Sequence, residues 1–117
     1  MNAKAVCLIL CALSGASLSG FGQQPGTKVW EYFAGTNAYP GSPALGPDGT
    51  IYFIGNNASG LYAVDTNGNL KAHIGSVNGI NPTIAGDGTV YVFHFNDPTL
   101  YAYDPTLTNT VGAFLNQ

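Results

Sequence analysis

The chain has 117 residues, a net charge of −3 and 8% charged residues, against roughly 25% charged residues in ordinary globular domains. This length suits one domain at most, and beyond residue 22 the basic side chains are Lys28 and Lys71. Nucleic acid is therefore excluded as a partner, because its binding needs a basic stripe that displaces counterions.

Residues 1–22 have the order of a signal peptide. Lys4 precedes an apolar run over 5–13, and small residues follow it. The run is too short to span a bilayer, which takes roughly 20 apolar residues. Small residues permit cleavage after Ser19 or after Gly22. The sequence predicts a protein exported to the periplasm, the cell envelope or the extracellular space, with membrane contact only through export.

Both cysteines, Cys7 and Cys11, lie inside this segment, so the processed chain is predicted to have no disulfide and no thiolate metal ligand. Leu10 precedes Cys11, where lipid attachment needs a small residue. This favours a soluble exported form over a lipoprotein.

The mature region, 23–117, opens with a strand-like segment at 28–33 that contains Trp30. Nothing of the same pattern precedes it. We predict that 23–40 holds an orphan strand, the closing strand of a preceding unit.

The rest of the chain is an internal repeat. The segment SPALGPDGTIYF at 42–53 recurs as NPTIAGDGTVYV at 81–92, and LYAVDT at 61–66 recurs as LYAYDP at 100–105. Both recurrences have the same offset, 82 − 43 = 39 and 100 − 61 = 39. Constant spacing of this kind marks repeat architecture. We place unit 1 at 41–79 and unit 2 at 80–117.

Each unit has the pattern of four antiparallel strands. Asp48-Gly49 and Asp87-Gly88 predict hairpin turns, in which glycine supplies a positive φ and aspartate caps its own turn. The stretches that follow, 50–54 and 89–93, are short continuous apolar runs typical of strands buried on both faces. Further strands are predicted at 61–65, 70–74 and 110–114. The fold class is all-β, with one orphan strand and two four-stranded units.

Four-stranded units of roughly 40 residues have the size of β-propeller blades. The order Ser-Pro-Ala-x-Gly-x-Asp-Gly-Thr-Ile-Tyr, then Leu-Tyr-Ala-x-Asp, resembles the pyrroloquinoline-quinone-like (PQQ-like) repeat. The family includes quinoprotein alcohol dehydrogenases and a non-enzymatic outer-membrane assembly scaffold. The resemblance implies a partial β-propeller of two blades. It also implies inter-blade packing by tryptophan, which here only Trp30 can supply, since neither closing strand contains one.

Other features of the sequence do not indicate a catalytic, cofactor or metal site. In quinoprotein dehydrogenases, calcium, an aspartate and often two adjacent cysteines hold the cofactor, whereas the aspartates here occupy blade turns. The run at 65–69 begins like an EF-hand loop, but its sixth and twelfth positions are Leu70 and Ser76 instead of glycine and glutamate. His73 and His94 are isolated from other ligands.

Most aromatic residues repeat at the 39-residue spacing, which marks them as blade core. Tyr39 and Phe95 lie outside the repeated blocks and are the candidates for surface contact.

The sequence therefore predicts a non-catalytic exported PQQ-like propeller segment that binds or scaffolds proteins in the cell envelope. Its partners would be further propeller blades or another protein chain, because propellers close with typically 4 to 8 blades. The alternative is a fragment of a PQQ-dependent alcohol dehydrogenase whose cofactor site lies outside this chain. Reconstitution with quinone and calcium discriminates, because only the alternative predicts dye-linked oxidation of an alcohol.

Overall fold

The structure, a computed structural model, describes residues 25–35, 41–55 and 59–115. The predicted signal peptide and Tyr39 lie outside these residues. The described chain contains eight strands and no helix, which confirms the all-β prediction. No helix in it is long and apolar enough to cross a membrane.

Unit 1 forms one four-stranded antiparallel sheet, called here the first sheet. Its strands follow chain order: β1 (Ala44–Leu45), β2 (Ile51–Ile54), β3 (Leu61–Val64) and β4 (Leu70–Ile74). Short β-branched and aromatic runs between turn residues account for this meander.

Unit 2 repeats the architecture in the second sheet, with β5 (Thr83–Ile84), β6 (Val90–Phe93), β7 (Thr99–Tyr103) and β8 (Thr110–Leu115). Val64 pairs with Leu70 in unit 1, whereas Tyr103 pairs with Thr110 in unit 2. The last connection of unit 2 is therefore one residue longer. The prediction of two four-stranded antiparallel units is confirmed.

The core lies between the two sheets. One cluster of buried side chains joins residues of β2 and β3 to residues of β6 and β7, and the connection between the units adds Val77. Its members are Tyr52, Ile54, Leu61, Ala63, Val77, Val90, Val92, Tyr103 and Leu107.

The central strands are buried mainly on the side that faces the other sheet. In β2, Tyr52 and Ile54 are buried, whereas Ile51 and Phe53, which alternate with them, are half-buried. The prediction that the run at 50–54 is buried on both faces is wrong, because one of its two faces is only half-buried. Each sheet has one complete neighbouring sheet, and alternate side chains of a strand point to opposite faces.

The 28–33 segment pairs with no strand of the described chain. It lies against the first sheet through side chains, with Tyr32 packed on Phe53 and Tyr62 at ring-centroid distances of 5.9 Å. Its origin as the closing strand of a preceding unit stays a prediction.

Candidate interaction surface

The two Asp-Gly turns have the same geometry. Gly49 and Gly88 have φ values of 84° and 89°, and each amide donates to the carbonyl three residues earlier, Gly46 or Ala85. This is a type I turn followed by a glycine in the left-handed region, the usual form of a three-residue hairpin loop. The glycine is required because a Cβ is disfavoured at such a φ.

Asp48 and Asp87 hold these turns closed. The Asp48 carboxylate accepts the Thr50 amide at 3.0 Å and the Lys71 ammonium at 2.9 Å. These bonds hold the pKa of Asp48 well below its usual range, and the bond from the Thr50 amide has the largest effect. Asp87 accepts the Thr89 amide at 2.9 Å. The bonds account for both aspartates structurally, because a carboxylate that accepts several hydrogen bonds stabilises its own turn.

The next turn in each unit is organised by another aspartate. Asp65 accepts the amides of Asn67 and Asn69 at 2.8 and 2.9 Å. Asp104 accepts from Thr106, Thr108 and Asn109, all at 2.9 Å. These carboxylate oxygens are thus engaged by the loop itself. The described residues hold no group of three His, Cys, Asp or Glu side chains placed to bind a metal ion.

Leu107 replaces glycine at the equivalent turn position of unit 2. Gly68 has a φ of 84°, and Leu107, 39 residues later, has a φ of 57°. A leucine in this region is strained by roughly 1–2 kcal/mol. The buried side chain, 6% exposed in the inter-sheet core, offsets that strain.

The turn before the last strand of each unit also presents a main-chain carbonyl to a side chain from outside the unit. The Trp30 indole N–H donates to the carbonyl of Thr66 at 2.9 Å, and the ring lies against Gly68, where a Cβ would be 2.9 Å from it. In unit 2, the Tyr52 hydroxyl donates to the carbonyl of Pro105 at 2.7 Å. Thr66 and Pro105 are equivalent positions, since 105 − 66 = 39.

This equivalence explains how units 1 and 2 pack together although the chain has no second tryptophan. Trp30 lies on the turn of unit 1, and Tyr52 makes the corresponding contact between units 1 and 2. A role of Trp30 between blades stays a prediction. Desolvation of its phenol raises the pKa of Tyr52. An ordinary phenol is already protonated at neutral pH, so the hydroxyl can donate there.

Each sheet therefore has two distinct faces. We call the face that carries the donating tyrosine the donor face; in the first sheet it comprises Tyr52, Ile54, Leu61 and Ala63. We call the opposite face the acceptor face, because a turn carbonyl of the same unit accepts the tyrosine's hydrogen bond. In the second sheet the acceptor face comprises Val90, Val92, Tyr101 and Tyr103. These groupings follow from the register, because directly opposed residues share a face.

The donor face of the second sheet is equivalent but open. Its residues, each 39 positions after those of the first sheet, are Tyr91, Phe93, Leu100 and Ala102, and β8 adds Phe114 opposite Leu100. Phe93 is 42% exposed and Phe114 62% exposed, whereas Ile54, the counterpart of Phe93, is 7% exposed. Tyr91 and Leu100 are half-buried, and Ala102 is buried. Part of an apolar surface that is buried in one repeat is thus accessible in the next.

Both histidines pack against tyrosine rings. His73 lies 4.2 Å from the Tyr62 ring, and its Nε2 is 2.6 Å from the carbonyl oxygen of Ser59. His94 lies 4.3 Å from the Tyr101 ring, and its Nε2 is 3.1 Å from the Tyr103 hydroxyl. Burial lowers the pKa of His94, which favours neutral imidazole there and a packing role.

Of the two predicted contact aromatics, Phe95 is described and Tyr39 is not. Phe95 is 52% exposed and follows β6, where its amide donates to the Asn78 carbonyl at 2.8 Å. The larger surface, the donor face of the second sheet, was missed because its residues were assigned to the blade core. The 39-residue offset combined with strand alternation was the signal that could have found it.

Comparison with known protein families gives no match to any family model, and no curated protein matches the chain significantly. The resemblance to the PQQ-like repeat therefore stays a prediction from the repeated residues.

Proposed function

We propose that this protein is an exported, non-catalytic repeat segment of the PQQ-like propeller type that binds or scaffolds other proteins in the cell envelope. The observation that carries the proposal is the open donor face of the second sheet. Contiguous exposed apolar surface on a folded protein usually marks a site of protein association.

The chemistry of that face favours a protein partner. Its residues, from β5 to β8, are Thr83, Tyr91, Phe93, Leu100, Ala102, Gly112 and Phe114, none of which is charged. Aromatic residues are the typical anchors of protein interfaces. Binding by this face should therefore depend weakly on salt, unlike binding by a charged surface.

Export is part of the proposal and depends on residues 1–22, which lie outside the described structure. The two sheets themselves use no thiol, since both cysteines fall within that segment. The sheets should consequently be equally stable in oxidising and reducing compartments.

Site-specific photo-cross-linking in the producing cell tests the proposal. A benzophenone amino acid replaces Phe114 on the donor face, and in a control it replaces Gly86, where a Cβ would meet nothing within 4 Å. We expect protein adducts from the Phe114 position and none from the Gly86 position. Absence of adducts at both positions, with the chain folded and exported, would refute a protein-binding role for this face.

A further inference from the structure

The chain carries two incomplete surfaces that match each other. One is the open donor face of the second sheet. The other is the acceptor face of the first sheet, formed by Ile51, Phe53, Tyr62 and Val64, which are the positions 39 residues before Val90, Val92, Tyr101 and Tyr103. Among the described residues, the second sheet's acceptor face is covered by a whole sheet, whereas the first sheet's is covered by the 28–33 segment.

The burial of equivalent residues shows that this cover is incomplete over β2. Val90 and Val92 are 0% exposed beneath the first sheet, whereas their counterparts Ile51 and Phe53 are only half-buried beneath the 28–33 segment. On β3, Val64 is buried, like its counterpart Tyr103. An open groove of about 460 Å³ remains between segment and sheet, lined mainly by apolar atoms of Trp30, Tyr32, Phe33, Ile51 and Phe53.

We propose that the donor face of one copy of this chain docks on the acceptor face of a second copy, head to tail, and displaces the second copy's 28–33 segment. The inference rests on the proposed function and names the partner of its binding face. The contact between units 1 and 2 is the template, because each docking surface has its equivalent there.

The hydrogen bond from the Tyr52 hydroxyl to the Pro105 carbonyl, in the contact between units 1 and 2, shows which hydrogen-bond donors would be exchanged. Tyr91 is the counterpart of Tyr52, and the Thr66 carbonyl is the counterpart of the Pro105 carbonyl. In the single chain, Trp30 already donates to Thr66. The Tyr91 hydroxyl of the incoming copy therefore takes the place of the Trp30 indole, so one donor replaces another on the same carbonyl.

Side-chain packing follows the same exchange. Phe93 and Leu100 of the incoming copy take the positions that Ile54 and Leu61 hold over the second sheet, and they cover Ile51 and Phe53. Because the two surfaces of one chain differ, the association is heterologous, and it closes into a ring if the rotation per copy allows. The two described sheets of each copy would give four, six or eight sheets in two, three or four copies, all within the usual range of propellers.

Sedimentation velocity on the processed chain recovered from the producing cell, over a dilution series, tests the assembly. We expect a mass that falls from several copies to one on dilution. Phe114→Glu should weaken assembly at least tenfold. Ala113→Glu is the matched control, because Ala113 is exposed on the same strand and pairs with Tyr101, on the acceptor face of the second sheet. Its assembly should equal that of the wild type.

Trp30, the single tryptophan of the chain, reports the displacement. Its emission should shift to the red as copies assemble, because the indole leaves Gly68 and the Thr66 carbonyl. Trp30→Phe removes the competing donor and should strengthen assembly. Tyr91→Phe, which leaves the aromatic packing in place, should weaken assembly and so serves if Phe114→Glu fails to fold.

A folded wild type that stays monomeric at all concentrations would overturn the inference. So would equal effects of Phe114→Glu and Ala113→Glu, or assembly without a change in Trp30 emission. The cross-linking experiment separates this failure from failure of the proposed function. Adducts to a second copy support both, adducts to a different protein support the proposed function alone, and absence of adducts counts against both.

Discussion

Replacing the turn glycines by valine tests the hairpin geometry that repeats in both units. Gly49 and Gly88 have φ values of 84° and 89°, where an L-residue is strained by roughly 1–2 kcal/mol, and a β-branched side chain is more restricted still. We expect Gly49→Val and Gly88→Val each to be destabilising, on the order of 1–3 kcal/mol.

The surroundings of the two glycines predict which variant is worse. A Cβ at Gly49 would be 3.2 Å from the Thr66 methyl group, and a Cβ at Gly88 would be 2.9 Å from Cγ of Pro105. The proline ring can shift less than a threonine side chain, and it belongs to the turn that accepts the Tyr52 hydroxyl. Gly88→Val should therefore lie near the upper end of the range, and Gly49→Val near the lower end.

Thermal unfolding followed by circular dichroism, in dilute solution, gives the comparison. At about 4–8 °C per kcal/mol for a domain of this size, Gly88→Val should lower Tm by about 10–20 °C. Gly86→Ala is the control, because φ there is not positive and its Cβ would meet nothing within 4 Å. It should be neutral or stabilising by up to about 1 kcal/mol. Equal Tm values for wild type and both valine variants would refute the turn assignment.

Three further outcomes follow from the sequence and structure. The processed N-terminus should lie between Gly20 and Gln24, and intact Met1 on protein recovered outside the cytoplasmic membrane would contradict this. Tyr52→Phe should cost about 1 kcal/mol in urea unfolding, because it removes the hydrogen bond to the second sheet; an unchanged midpoint would count against that bond as a link between units. Hydrogen bonds to Asp104, of which the bond from Asn109 has the largest effect, lower its pKa in the folded state. The carboxylate therefore stabilises the fold above the pKa of the unfolded chain, near pH 4, and this stabilisation is lost as the pH falls below that value. Asp104→Asn should flatten that acid loss, and identical pH profiles would argue against the loop network.

The sequence by itself determined the repeat, the strand order and the turns. A constant offset of 39 residues, Asp-Gly pairs and β-rich runs are local signals, because turn chemistry and strand propensity act over a few residues. They predict two four-stranded antiparallel units, and the described structure has both.

Only the tertiary structure decided which faces are buried and what joins the units. The Tyr52 hydroxyl and the Pro105 carbonyl are 53 residues apart in the chain, and no local pattern links them. Likewise, Phe93 repeats the position of Ile54 and yet remains exposed. The reason is physical: strand alternation assigns a side chain to one face of a sheet, but its burial depends on whether another sheet covers that face.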